Sequence, residues 1–190
     1  MNNKVLIVSS HDKGKDILSE LLTAHNYMHI TTVKRGDETR RILYEKFFDL
    51  VVINAPLPDE SGEELALMVT EKTAAGVILI VRADIADDVA AKVEDYGIIV
   101  LPKPISRQMF FQSAKLVSAT QKRLQGLKNE NAKLQKKIDE IRLVDRAKCA
   151  LIQYLDYTEP KAHRYIEKLA MDKRVARGEI AQEILDIYEP

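Results

Sequence analysis

DLVVINAPLPDESG, residues 49–62, is an apolar run that stops abruptly in a loop rich in proline, acid and glycine. Leu50 to Ile53 carries no polar interruption, which is the pattern of a strand covered on both faces. Four further runs share this character: VLIV (5–8), MHITTV (28–33), VILIV (77–81) and IIVL (98–101). Helical spacings lie between them, such as Ile17, Leu18, Leu21, Leu22 and then Leu65, Met68, Val69. Buried strands alternating with amphipathic helices predict an α/β fold on a five-stranded parallel sheet. Ligands of such sheets bind beyond the C-terminal strand ends, so the residues just after each run decide the chemistry.

Those residues carry a resemblance. The stretch 49–62 is similar to the strand and loop of a response-regulator receiver domain, and VLPKPIS (100–106) is similar to its Lys-Pro segment. The resemblance covers about the first 118 residues and implies a flavodoxin-like strand order, 2-1-3-4-5. In that family an Asp ending the third strand takes a phosphoryl group. An acidic pair after the first strand holds magnesium, a Thr or Ser ends the fourth strand, and a Lys ends the fifth. Here Asn54 stands at the acceptor position, Ser9 and Ser10 at the acidic pair, Val81 at the hydroxyl position and Val100 at the family's switch aromatic. Lys103 remains, before a Pro104 that in the family follows a cis bond.

Phosphoryl transfer to a carboxylate needs a carboxylate nucleophile and a metal held by hard oxygen ligands. Asn54 is a neutral amide, and two serines replace two carboxylates poorly. Asp49 opens its strand at the wrong end, and Asp12 and Asp59 read as helix-start or loop residues rather than substitutes. The expectation is a pseudo-receiver with no phosphorylation, no metal and no cofactor.

From Val117 the spacing changes to Val117, Thr120, Leu124, Leu127, Asn131, Leu134, Ile138, Ile141. Written as heptads, Leu124 and Ile138 fall at a, Leu127, Leu134 and Ile141 at d, and Asn131 is a lone polar residue at a. A long helix from about Phe110 to beyond Val144 is predicted, with this stripe as a two-stranded seam and Asn131 fixing its register. The e and g positions bring Arg123 opposite Lys128 and Lys137 opposite Arg142, so the seam must hold the pairing. The alternative is an amphipathic helix docked on its own domain.

Residues 142–190 read as a small bundle of three short helices. Thr158, Glu159 and Pro160 form a helix-start signature. Ala162, Tyr165, Ile166, Leu169, Ala170 and then Ile180, Ala181, Ile184, Leu185, Tyr188 supply apolar faces at helical spacing. Such short helices need each other's apolar faces. Small Ala147, Ala162, Ala170 and Ala181 permit close approach. AK (147–148), TEPKA (158–162), LAMDKR (169–174) and EIA (179–181) resemble the ANTAR domain of transcription antitermination regulators. That resemblance implies binding of paired stem-loops in nascent RNA. The predicted division is a receiver-like domain over 1–118, a coiled-coil linker over 119–134 and an ANTAR module over 135–190. Lys148, Arg164, Lys168, Lys173 and Arg174 are the candidate phosphate contacts, and Tyr165 the candidate stacking residue.

Charge follows the same division. The formal net charge is zero. Residues 1–102 hold 11 Lys and Arg against 17 Asp and Glu, residues 103–142 hold 10 against 3, and residues 143–190 hold 8 against 9. An acidic front, a basic stalk and a neutral tail suit three segments with different surroundings. One cysteine forms no internal disulfide and fits a reducing cytoplasm. No membrane span or secretion signal is legible. The histidines lack metal-ligand spacing, and neither a nucleophile elbow nor a phosphate-cradling glycine loop occurs, so no enzyme is expected. The reading is a dimeric RNA-binding antiterminator, controlled by a protein partner, by a ligand in the altered pocket or by expression level. Its rivals are an interaction adaptor that works through the stalk and a DNA-binding regulator. The last helix opens with Glu179 and Glu183, which does not favour DNA.

Overall fold

The structure is a computed structural model and describes residues 4–189. Strands β1 (Lys4–Ser9), β2 (His29–Val33), β3 (Leu50–Asn54), β4 (Gly76–Arg82) and β5 (Ile99–Lys103) form one parallel sheet in the order β2-β1-β3-β4-β5. This is the flavodoxin-like order. The register sets Ser9 beside Asn54, Asn54 beside Ile80, and Arg82 beside Lys103. All of these lie at the C-terminal edge of the sheet.

Strand residues alternate between two cores, as a pleated strand requires. Val5, Ile7, Val52, Ile78 and Ile80 pack with Leu18, Leu21 and Leu22 of α1 (Asp12–Thr23) and with Phe110, Ala114 and Val117 of α5 (Arg107–Leu155). Leu6, Val8, Val51, Ile53, Leu79 and Val81 face the other way. They meet Leu65, Ala66 and Val69 of α3 (Glu63–Lys72) and Ala86, Val89 and Val93 of α4 (Ala86–Val93). Ile42 and Leu43 of α2 (Gly36–Glu45) join that face. At the start of β4, a Cβ on Gly76 would come within 1.9 Å of Val117 Cγ1, so glycine there lets α5 settle on the sheet. The peptide bond before Pro104 is cis, as the resemblance implied; the bond before Pro56 is cis as well.

Helix α5 is unbroken for 49 residues, and its environment changes along its length. Phe110, Ala114 and Val117 are buried in the receiver core, whereas every residue from 122 to 139 is exposed. The alternative, an amphipathic helix docked on its own domain, therefore describes α5 only as far as Val117. Further on, Ala147, Ala150 and Leu151 pack with Ala162, Ile166 and Ala170 of α6 (Glu159–Lys173) and with Ile180, Ala181, Ile184 and Leu185 of α7 (Arg177–Tyr188). The four alanines expected to permit close approach are all in that core. Thr158 is the N-cap of α6 with Pro160 in its first turn, but its hydroxyl makes no capping bond; its carbonyl receives the Lys161 and Ala162 N–H groups. The described residues form two compact units that divide between Gln125 and Gly126.

Candidate nucleic-acid interface and the altered receiver pocket

At the C-terminal edge of the sheet, Ser9 is 2% exposed, and Asn54 closes β3 beside it. Asn54 Nδ2 donates to Ser9 Oγ at 3.0 Å, and Ser9 Oγ donates to the His11 carbonyl at 3.2 Å. The floor is thus a neutral relay of amide, hydroxyl and carbonyl. Gly14 on the first turn of α1 leans on this relay, since a Cβ there would come within 2.5 Å of Asn54 Nδ2. Asn54 Oδ1 is buried without a hydrogen-bond partner. A hollow of about 270 Å³ opens beside these groups, lined by Ser10, His11, Asn54, Pro56, Leu57, Pro58 and Lys103. The Lys103 ammonium donates to the Ala55 carbonyl, and burial holds its pKa below the usual lysine range.

The nearby carboxylates are engaged elsewhere. Asp12 pairs with Lys15 at 3.4 Å and with Lys34 at 3.2 Å. Asp49 accepts from the Lys4 N–H at 2.7 Å. Asp59 accepts from the Gly36 and Asp37 N–H groups at 3.0 and 3.1 Å, capping α2; the Gly36 bond leads in holding its pKa below the usual carboxylate range. Glu60 grips Arg40 through both carboxylate oxygens. Magnesium bound by a receiver needs hard anionic oxygens. The groups at this place are two serine hydroxyls, that of Ser9 already used twice, a neutral amide, a carbonyl taken by Lys103 and an ammonium, so the set does not fit the ion. Val81, expected at the hydroxyl position, lies 2% exposed within the core toward α3 and α4 and does not line the hollow. At the strand end stands Arg82, ion-paired with Asp84. Val100 packs half-buried against the same core.

The C-terminal unit has a different electrostatic character. Lys161, Arg164, Tyr165 and Lys168 share one face of α6 at helical spacing, opposite the buried Ala162, Ile166 and Ala170. Arg164 and Lys168 are exposed, and neither has a carboxylate partner among the described residues. Lys161 Nζ sits 3.9 Å from the centroid of the Tyr157 ring, and Tyr157 meets Tyr165 edge-on at 5.7 Å. Tyr165 remains 39% exposed, at the rim rather than in the core stripe where the spacing puts it. Arg174 is exposed at the C-terminal cap of α6 with left-handed backbone, φ 57°.

Two of the expected phosphate-binding lysines are committed elsewhere. The Lys148 side chain is only 17% exposed and lies 2.8 Å from Asp145 and 3.0 Å from Glu159, which raise its pKa. Lys173 pairs with Glu183, and Arg177 with Glu167. A cation already held between carboxylates would have to leave them to reach a phosphate. Lys148 therefore ties α5 to the start of α6.

On the stalk, Leu124, Leu127, Leu134, Ile138 and Ile141 are 45, 49, 51, 44 and 60% exposed, and Asn131 is exposed among them. Continued past Ile141, the heptad would place Asp145 and Lys148 in the seam. The stripe thus runs out where α6 and α7 begin to pack.

The receiver domain model of the response regulator family matches residues 5–115, more than half of the chain. The chain belongs to the response regulator family. The ANTAR domain model matches residues 132–185, so this response regulator carries an ANTAR domain after its receiver. It is similar to the transcriptional regulatory protein PdtaR of Mycobacterium tuberculosis, 26% identical over 184 residues that cover 96% of this chain and 89% of that protein. It is also similar to the transcriptional regulatory protein CitT of Halalkalibacterium halodurans, 29% identical and covering 94% and 75%. Among solved structures, the receiver domain of an HD domain-containing protein from Pseudomonas fluorescens aligns with a TM-score of 0.59 at 21% identity. It covers 66% of this chain and 93% of that one. A receiver domain protein from Clostridium thermocellum aligns at 0.58 and 19%, covering 64% and 98%. Both support the fold of this response regulator's front domain.

Sequence reasoning missed Tyr157 and the engagement of Lys148 and Lys173. An aromatic four residues before Lys161 is a legible signal for a cation–π pair. Nothing local announces that Glu183 reaches Lys173, because α7 must first fold back along α6.

Proposed function

We propose that the chain is a dimeric, RNA-binding regulator of transcription antitermination whose receiver-like domain takes no phosphoryl group. The carrying observation is the outer face of α6, where Arg164 and Lys168 project without carboxylate partners among the described residues, beside an exposed Tyr165. Free cations give affinity for phosphate oxygens, and an aromatic at the rim offers a stacking surface for an unpaired loop base. Lys161 and Arg174 extend the same charge, while Lys148 and Lys173 serve the bundle. The ANTAR match and the relatives' description as transcriptional regulatory proteins support this reading. Nascent leader stem-loops are the RNA partner.

Two copies pair in parallel through Leu124, Leu127, Leu134, Ile138 and Ile141, with Asn131 setting register. About half of each side chain's surface is exposed in the single chain, enough to favour a partner helix. The division 1–118, 119–134 and 135–190 assigns receiver, linker and RNA module. No helix of the described residues is long and apolar enough to cross a membrane, and the work assigned here belongs in the cytoplasm. The test is a titration of the full chain with a two-hairpin leader RNA across a salt series. Saturable binding that weakens steeply with salt is expected. Salt-independent or absent binding by a folded dimer would leave the adaptor reading, which the exposed seam favours.

A further inference from the structure

Neither the seam nor α6 uses the lysines of the stalk. Between residues 128 and 137, α5 carries Lys128, Lys133, Lys136 and Lys137 against a single carboxylate, Glu130. All of these side chains are exposed, and none forms an ion pair among the described residues. Elsewhere cations are matched more closely: Arg40, Arg82, Lys148 and Lys173 each reach a carboxylate. The next two carboxylates down the helix are turned to other groups. Asp139 accepts from Gln135 Nε2 at 3.0 Å, and Glu140 lies against the start of α7, its Cγ 3.2 Å from where a Cβ on Gly178 would stand. Lys133 stands three residues from Lys136 and four from Lys137, spacings at which like charges on a helix repel. An anionic partner relieves that repulsion.

We propose that these four lysines form a second phosphate-binding surface, which carries the single-stranded RNA that flanks the hairpins. The proposal rests on the RNA reading of α6. Lys133 and Lys136 lie on the side of the helix away from Leu127, Leu134 and Ile138, and Lys128 and Lys137 flank that stripe, so pairing of two stalks leaves all four reachable. The outward side between them holds Gly126, Asn129 and Ala132, with no aromatic or large aliphatic side chain. A protein or membrane surface needs such an apolar anchor at the centre of the contact, whereas a phosphate backbone needs only charge. The helical rise spreads the four lysines over about 14 Å, and the helical turn spreads them around about half of the circumference. A flexible single strand can follow that path; a stiff A-form stem meets only one side of it. Lysine acts as a point charge on a flexible stem, which suits a backbone contact that reads no base.

The experiment measures the affinity of the full-length protein against salt for two RNAs, a two-hairpin leader with its single-stranded flanks and the same leader trimmed to the hairpins. Wild type is compared with the combined variant Lys133→Gln, Lys136→Gln and Lys137→Gln, in which glutamine keeps the helix propensity of lysine. Helicity and oligomeric state are checked by circular dichroism and light scattering. Wild type should bind the flanked RNA more tightly and with a steeper log–log slope than the trimmed one. The glutamine variant should lose that difference, its slope on flanked RNA flattening by roughly 0.7 for each phosphate no longer neutralised. The corresponding arginine variant should keep it. A folded glutamine variant with wild-type affinity and slope on flanked RNA overturns the proposal and leaves the α6 reading intact, as does an equal loss on both RNAs, which would assign the lysines to the stems. Unchanged RNA binding, with an oligoglutamate peptide bound by wild type and not by the variant, would overturn it in favour of an acidic protein. A folded wild type that binds neither RNA overturns the α6 reading, and this proposal with it.

Discussion

The floor of the receiver hollow and the outer face of α6 are both polar, and they spend that polarity differently. Asn54, Ser9 and the His11 carbonyl bond one another, and the surrounding carboxylates are bound to α2 or to lysines. On α6, Arg164 and Lys168 bond no carboxylate among the described residues. Polar groups that satisfy each other stabilise a fold, whereas cations left in water are available for a partner. Under the proposed function, the floor of the hollow does structural work and the face of α6 meets the partner.

The largest effect is expected at the stalk between these two regions. Leu134→Asp with Ile138→Asp puts two charges into the seam and should convert a dimer to monomer in light scattering at tens of micromolar. The cost is several kcal/mol, on the order of a strongly disrupted buried interface. A wild-type protein that is already monomeric there contradicts the seam.

Next in size, Ser9→Ala removes the acceptor of Asn54 Nδ2, leaving both ends of that amide unpaired. Chemical denaturation should show a loss of about 1–3 kcal/mol. Arg164→Ala should stay within about 0.5 kcal/mol, because an exposed uncommitted side chain contributes little to stability. Equal losses in the two variants would erase the difference between a hydrogen-bonded floor and an open face.

Asp59→Asn should cost about 1 kcal/mol at pH 7, the value of a helix-end cap. Asp59 has a lowered folded pKa, so its contribution is fully present above the ordinary carboxylate pKa and disappears as pH falls through the lowered one. Wild type and variant should therefore converge in acid. A difference independent of pH would mean that the carboxylate charge is not what caps α2.

All five strand runs fall within a residue or two of the observed strands, because continuous apolar runs have one stable use in a parallel sheet. Asn54 and Lys103 are legible as pocket residues because the strand ends locate them. Val81, at the family's hydroxyl position, packs into the core on the α3 and α4 side of the sheet, and a continuous apolar run does not reveal which side of the strand a residue takes. On the bundle, the apolar spacing marks Ala162, Ile166 and Ala170 correctly but does not separate free cations from engaged ones. Lys148 and Lys168 look alike in the sequence. Asp145 three residues earlier and the return of Glu159 beside Lys148 distinguish them.

That distinction between the two lysines can be read out directly. Affinity for a two-hairpin leader RNA is measured against salt for wild type, for Arg164→Ala with Lys168→Ala, and for Lys148→Ala, with helicity and dimerisation checked by circular dichroism and light scattering. The double variant should flatten the log–log slope by roughly 0.7–0.9 for each phosphate it no longer neutralises. Lys148→Ala should leave the slope unchanged even where it lowers stability. A folded, dimeric double variant with wild-type affinity and slope, or a flattened slope in Lys148→Ala alone, would contradict the assignment of α6 as the RNA-binding face.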